Sequence, residues 1–304
     1  MTQTSISNTA ARSIALAESI IVAAVWASSF VFIKIGLRYM GPLTLAGLRY
    51  FSAFLILLPF LMRRKAKARK VSCSHEGRPL RYWGRLAATG VSAYTIGNAA
   101  LFWGLKYLPA TTGSFLLTLV PLLMLPVSVV WLKEIPARHQ LIGIAIALVG
   151  SVIFFGPGLR IGESLGIAIV GGGLLGFSAF GILGREIAKT GEVDTLTLTA
   201  IPLGIGGGML LLIAILVEGW PSFTIEGWGV VLLLAIVNTA LAYSLYNHAL
   251  KVMTAVEMNI ILNLCPLGTA VLAWVLLGET LAAIQFVGMV VVIVGVVLVQ
   301  RQSS

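Results

Sequence analysis

Long apolar runs dominate the chain. Hydrophobic stretches near 16–37, 43–62, 83–105, 111–132, 139–156, 163–184, 195–217, 226–250, 254–277 and 282–299 are each close to the ~20 residues that cross a ~30 Å hydrocarbon core as a helix. They lack the apolar–polar alternation of barrel strands, and a helix satisfies its own backbone groups in lipid. The pattern predicts an all-α integral membrane protein with ten transmembrane helices. Residues 1–15 and 300–304 read as short polar tails. The first apolar run continues to Lys34 past any small-residue cleavage site, so it is expected to stay as a span.

An internal repeat organises these runs. Shifting the sequence by 145 residues aligns 103–151 with 248–296 without a gap and gives 15 identities in 49 positions. The anchors include Lys106/Lys251, Ala110/Ala255, Pro121/Pro266, Glu134/Glu279, Gly143/Gly288 and Gly150/Gly295. Five spans separate equivalent positions, and an odd number turns each unit over relative to its mate. Residues 16–156 and 163–299 are therefore expected as two inverted five-helix repeats about an axis in the membrane plane.

Composition excludes a soluble reading. Of 304 residues, 58% are hydrophobic and 11% charged, against roughly a quarter charged in soluble domains. The net charge of +10 would elsewhere suggest nucleic acid, but its placement points to topology. With both termini cytoplasmic, 16 of 21 cations fall on that side, nine of them between Arg63 and Arg85. No nucleic-acid partner is expected; the partners are the bilayer and a small molecule. The cysteines, Cys73 and Cys265, are not expected to pair. Histidines at 75, 139 and 248 are dispersed, so neither a metal site, nor a cofactor, nor a membrane-embedded hydrolytic centre is expected.

Motifs sharpen the class. Trp26-Ala27-Ser28-Ser29-Phe30 in span 1, Leu45-Ala46-Gly47-Leu48-Arg49-Tyr50 in span 2, and a proline followed by Glu134 or Glu279 after spans 4 and 9 resemble the ten-span, EamA-type branch of the drug/metabolite transporter superfamily. The resemblance implies a secondary transporter of bacterial inner-membrane type. In it, two inverted halves surround a central cavity, commonly for export of amino acids or related metabolites. The YddG-like aromatic amino-acid exporters are one branch that suits.

Polar and aromatic groups inside spans mark candidate path-lining positions. Tyr94 and Asn98 in span 3 match Thr239 and Tyr243 in span 8, each pair on one helical face, followed by Trp103 against His248. A face so polar avoids lipid tails and is expected to line the cavity or to join helices. Thr118 with Pro121 in span 4 matches Asn263 with Pro266 in span 9; each proline is expected to kink its helix and free the carbonyl four residues earlier. Trp26, Ser29 and Ser178 complete the candidates. Of the cations, Lys34 is expected to snorkel to the interface. Arg49 is left between a structural role and a substrate carboxylate. No acid falls at the bilayer midplane, which favours uncoupled transport over proton or sodium coupling, with His248 the one titratable alternative. Glycines at 171–173, 176, 204 and 206–208 suit close or sliding helix contacts. Gly143, Gly150, Gly288 and Gly295 suit either packing between spans 5 and 10 or a dimer surface.

Overall fold

The structure is a computed structural model describing residues 2–71, 80–120, 122–123, 138–156, 162–190, 195–221, 224–249, 252–253, 258 and 261–300. The elements among the described residues are all helical. They are α1 (Thr2–Gly36), α2 (Pro42–Val71), α3 (Leu80–Gly90), a π segment (Val91–Gly97), α4 (Asn98–Gly104), α5 (Ala110–Leu117) and α6 (Arg138–Phe155). In the second half come α7 (Glu163–Thr190), α8 (Thr195–Glu218), α9 (Ile225–Ala235), a second π segment (Ile236–Leu241), α10 (Ala242–Ala249), α11 (Cys265–Leu277) and α12 (Ala283–Gln300). Six stretches are long and apolar enough to cross a bilayer, Arg12–Gly36, Pro42–Arg63, Arg138–Phe155, Glu163–Gly184, Leu196–Glu218 and Ile225–Tyr246; Cys265–Leu277 and Ala283–Leu298 are shorter apolar helices. Large apolar side chains such as Leu148, Val152, Leu216, Val271 and Phe286 stand exposed, as a lipid-facing surface requires.

Three features differ from the sequence reading. Helix α2 does not stop near residue 62 but runs to Val71, carrying the start of the basic stretch on a helix. Spans 3 and 8 are not continuous α-helices. Each contains a π segment, and the two segments start 145 residues apart, the offset of the sequence repeat. Spans 4 and 9 are broken at matching positions: α5 ends before a turn at Thr118–Leu119, and a turn at Asn263–Leu264 precedes α11. Pro266 consequently sits in the first turn of α11 rather than mid-helix, where its missing N–H removes no helical bond. Pro121 lies outside the described residues.

The two halves interleave. Helix α1 packs on α9, α10 and α11 of the second half, while α7 packs on α3, α4 and α5 of the first. Spans 2 and 7 meet as α2 along α8, and spans 5 and 10 as α6 along α12. Glycine makes the last contact possible. A Cβ at Gly150 would lie 2.7 Å from Val292 N, one at Gly288 2.8 Å from Gly150 O, and one at Gly295 2.6 Å from Ala147 N. This stripe is thus a packing seam between spans 5 and 10, not a free dimer surface. Gly173 and Gly176 do the same for α7 against the first π segment and α4.

Helix ends are closed by side chains from elsewhere. Glu218, ending α8, accepts from Leu43 N (3.0 Å), Thr44 N (2.8 Å) and Thr44 Oγ1 (2.7 Å) at the start of α2; a side chain at Gly41 would overlap that carboxylate. Glu279 accepts from Ala110 N (2.8 Å) and Thr111 N (3.3 Å) at the start of α5. Gly278, with φ of 68°, reverses the chain just before it, a conformation that favours glycine. These carboxylates satisfy orphan N–H groups and complement the helix dipole.

Replacing Gly288 by leucine should force α6 and α12 apart and lower the midpoint of thermal unfolding in detergent, a loss of about 1–3 kcal/mol. Gly229, whose Cβ would meet open space, is the control, and Gly229→Leu should leave the midpoint unchanged. Equal midpoints for the two variants would show that the seam does not form.

Candidate functional site

Span 2 carries a cation into the middle of the bundle. Arg49 is 6% exposed, and its guanidinium is held by both halves. Nε donates to Thr239 Oγ1 (3.0 Å), Nη1 to Ser29 Oγ (2.8 Å) and Nη2 to the Asn238 carbonyl (3.3 Å). The guanidinium carbon lies 5.0 Å from the Tyr50 ring centroid and 5.8 Å from that of Phe102. Among the described residues no carboxylate pairs with it. Burying an unpaired charge costs several kcal/mol. Charge-assisted hydrogen bonds return about 1.5–3 kcal/mol each and aromatic faces about 1–2. Neutral groups thus hold the charge without cancelling it.

Aromatic groups wall this site. Tyr50 and Tyr94 stand 4.9 Å apart and Tyr50 and Phe102 6.2 Å apart. Trp26 contacts Tyr243 (5.4 Å) and Tyr246 (5.6 Å). Tyr50 donates to Asn98 Oδ1 at 2.6 Å, while Asn98 Nδ2 donates to Ala93 O, five residues back in the π segment (2.8 Å). Thr239 likewise donates to Leu234 O, five residues back (2.9 Å). The Ala93 carbonyl also accepts the Asn98 backbone N–H, and π segments of this kind recur at functional sites.

Of the sequence candidates, the structure brings together Arg49, Ser29, Thr239, Tyr94, Asn98, Tyr243 and Trp26. Others fall elsewhere. Trp103 is 40% exposed, on the same outer face as Ile96 and Tyr107; five residues beyond Asn98 a helix has turned ~140° off that residue's face. His248 is exposed at the end of α10, where Nδ1 meets Glu18 Oε1 at 2.8 Å and Oε2 at 2.9 Å. Ser178 and Thr118 are buried but bond to carbonyls of their own helices, Leu174 and Phe115. Asn263 is buried in the turn that breaks span 9. Lys34 does not snorkel: Nζ donates to Leu105 O and Leu108 O, both at 2.9 Å, closing the end of α4. Tyr50, Phe102, Ser28 and Asn238 belong to the site but escaped the sequence reading. Tyr50 and Ser28 lay in the quoted motifs, and Asn238 adjoins Thr239.

A separate cleft of about 330 Å³ opens at the Glu279 end, lined by Lys34, Leu37, Arg38, Leu105, Lys106, Leu277 and Glu279. It shares no residue with the Arg49 cluster. Three cations, Lys34, Arg38 and Lys106, face the one carboxylate of Glu279, so the lining carries a net positive charge.

The bundle is helical among the described residues, broken or widened at matching points of its two halves, with a polar and aromatic cluster where the halves meet. The sequence profile of the EamA-like transporter family matches residues 13–156 and again 164–301, and the chain belongs to that family of membrane transporters. It is 26% identical over 282 residues to the uncharacterized transporter YyaM of Bacillus subtilis, covering 88% of each chain. It is 25% identical to the uncharacterized inner membrane transporter YedA of Escherichia coli, over 90% of this chain and 87% of that one. A probable terminal-alkyne amino-acid exporter of Streptantibioticus cattleyicolor is 26% identical, over 91% and 90%. A solved crystal structure shares the fold with a TM-score of 0.64 at 18% identity, covering 95% of this chain and 97% of its own.

The Tyr50–Asn98 bond gives a direct check on how the site is held. Tyr50→Phe leaves Asn98 Oδ1 buried without its donor and should cost about 1–3 kcal/mol. Adding Asn98→Leu removes the orphan and should bring the double variant closer to wild type than the two single losses predict. Strict additivity in thermal unfolding would show that the two side chains do not interact.

Proposed function

We propose that this transporter exports small, apolar or aromatic amino acids and related compounds by alternating access around the Arg49 cluster, uncoupled from ions and with no chemistry on the cargo. The carrying observation is the buried guanidinium without a carboxylate partner. It offers a substrate carboxylate the only formal counter-charge in the cluster, and the walls of Trp26, Tyr50, Tyr94 and Tyr243 suit an apolar or aromatic side chain. The name of the Streptantibioticus cattleyicolor relative, a probable terminal-alkyne amino-acid exporter, agrees with this cargo. The turns at Thr118 and Asn263 and the two π segments supply the flexible points at which the halves, residues 16–156 and 163–299, rock past one another. Uncoupled movement fits a cluster with no acid among its described residues. The cation bias argues for both termini on the cytoplasmic side of a bacterial inner membrane.

A second reading, proton-coupled antiport, draws on one contact. His248 and Glu18 join α1 to α10 through an acid–base pair. A carrier of nucleotide sugars or other phosphates draws only on the cationic cleft, which stands apart from the cluster.

Reconstitution in liposomes discriminates. Labelled phenylalanine, methionine or threonine should move down its gradient, at rates that an imposed pH gradient leaves unchanged. Arg49→Lys, which keeps the charge but not the planar fork, should reduce flux roughly tenfold, and Arg49→Ala should abolish it. Movement of a nucleotide sugar alone would overturn the amino-acid assignment. Flux driven by the pH gradient and lost in His248→Ala would establish coupling instead.

A further inference from the structure

One buried atom in the cluster lacks what every other has. The side-chain oxygen of Asn238, a residue fully buried in the second π segment, finds no hydrogen-bond partner among the described residues. The amide cannot be relieved by turning it over. Its nitrogen donates to the Val25 carbonyl and, at 3.1 Å, to Ser28 Oγ on α1; reversal would set two oxygens against each other at Val25. The lone atom is therefore an acceptor facing a missing donor, a standing cost in apolar surroundings.

Arg49 presents the complementary vacancy in bonding. A guanidinium carries five N–H donors, and the three bonds to Thr239, Ser29 and the Asn238 carbonyl leave two unused among the described residues. Because Nη2 is bonded to the backbone of Asn238 itself, the unused acceptor lies within one asparagine side chain of the unused donors. A simple anion would engage Arg49 and leave Asn238 Oδ1 unsatisfied. A simple cation would be repelled by the guanidinium. A ligand with a carboxylate and an ammonium on one carbon answers both.

We propose that Asn238 reads the ammonium group of the substrate. Its Oδ1 accepts a hydrogen bond from the α-ammonium of a zwitterionic amino acid whose carboxylate lies on Arg49. This rests on the amino-acid reading above and adds to it the selection of α-amino acids over acids of the same side chain without the amine. The choice of amide is explained by the same chemistry. An aspartate at 238 would accept equally well but would pair with Arg49 and cancel the charge meant for the carboxylate. The position also links binding to movement, since Asn238 holds α1 through Val25 and Ser28 while its peptide holds α2 through Arg49.

The test is competition in proteoliposomes containing the full chain. Uptake of labelled phenylalanine is challenged with unlabelled phenylalanine, 3-phenylpropanoate, which lacks the amine, and phenethylamine, which lacks the carboxylate. In wild type, phenylalanine should compete at least roughly tenfold better than either analogue. In Asn238→Leu the advantage over 3-phenylpropanoate should collapse to about parity, and in Asn238→Asp phenethylamine should become roughly tenfold more effective. Ser151→Ala, which removes a hydroxyl bonded to Ala147 O within α6 and away from the cluster, should keep the wild-type ranking. Monodispersity in detergent is checked for each variant, and if Asn238→Leu does not fold, the Asn238→Asp result decides. Unchanged rankings in folded Asn238 variants overturn the role given to this residue and leave amino-acid transport standing. A wild type that carries 3-phenylpropanoate but not phenylalanine overturns the amino-acid reading itself.

Discussion

A guanidinium kept charged inside an apolar bundle needs polar partners, and no single helix of this chain supplies enough of them. Arg49 draws Ser29 from α1, Thr239 and the Asn238 carbonyl from the second π segment, and two aromatic faces from its own and the neighbouring span. Each partner is neutral, so the charge is solvated but not neutralised. Meeting that requirement obliges spans 1, 2, 3 and 8 to converge at one depth, and the aromatic wall of the cluster follows from that convergence.

The same demand for satisfied polar groups governs the helix ends. Glu218 closes the start of α2, Glu279 the start of α5, and Lys34 the end of α4. All three are contributed from a distance in sequence, and Glu218 and Glu279 act across the halves. Charges that composition alone would assign to solvent are in fact joints between elements. The glycine seam between α6 and α12 contributes backbone proximity where no polar group is available. Together these contacts make each half incomplete without the other.

Much of this architecture was legible in the sequence because its causes are local. Runs of apolar residues set the spans, and the offset of 145 paired the proline-bearing segments of spans 4 and 9. The site was legible only in part. Helical spacing brought Tyr94 to Asn98 and Thr239 to Tyr243, but a fixed period has no means of showing π turns, and Trp103 joined the candidates through its match to His248 in the repeat although helical spacing sets it ~140° from Asn98. Lys34 was misjudged because its partners are carbonyls 71 and 74 residues away, which no local pattern records. Asn238 was overlooked for a similar reason: its importance comes from an atom left without a partner, and that shows only when every neighbour is in place.

The interleaving also sets an order of events during synthesis. Arg49 finds Thr239 at a separation of 190 residues, and at about 5–20 residues per second the ribosome needs roughly 10–40 s to make the intervening chain. For that interval span 2 sits in the membrane with a charge whose partners in the second half do not yet exist. The first five spans must therefore be held by lipid headgroups, water or the insertion machinery until span 8 arrives. The last steps of assembly are the ones that bring Arg49 its partners from the second half.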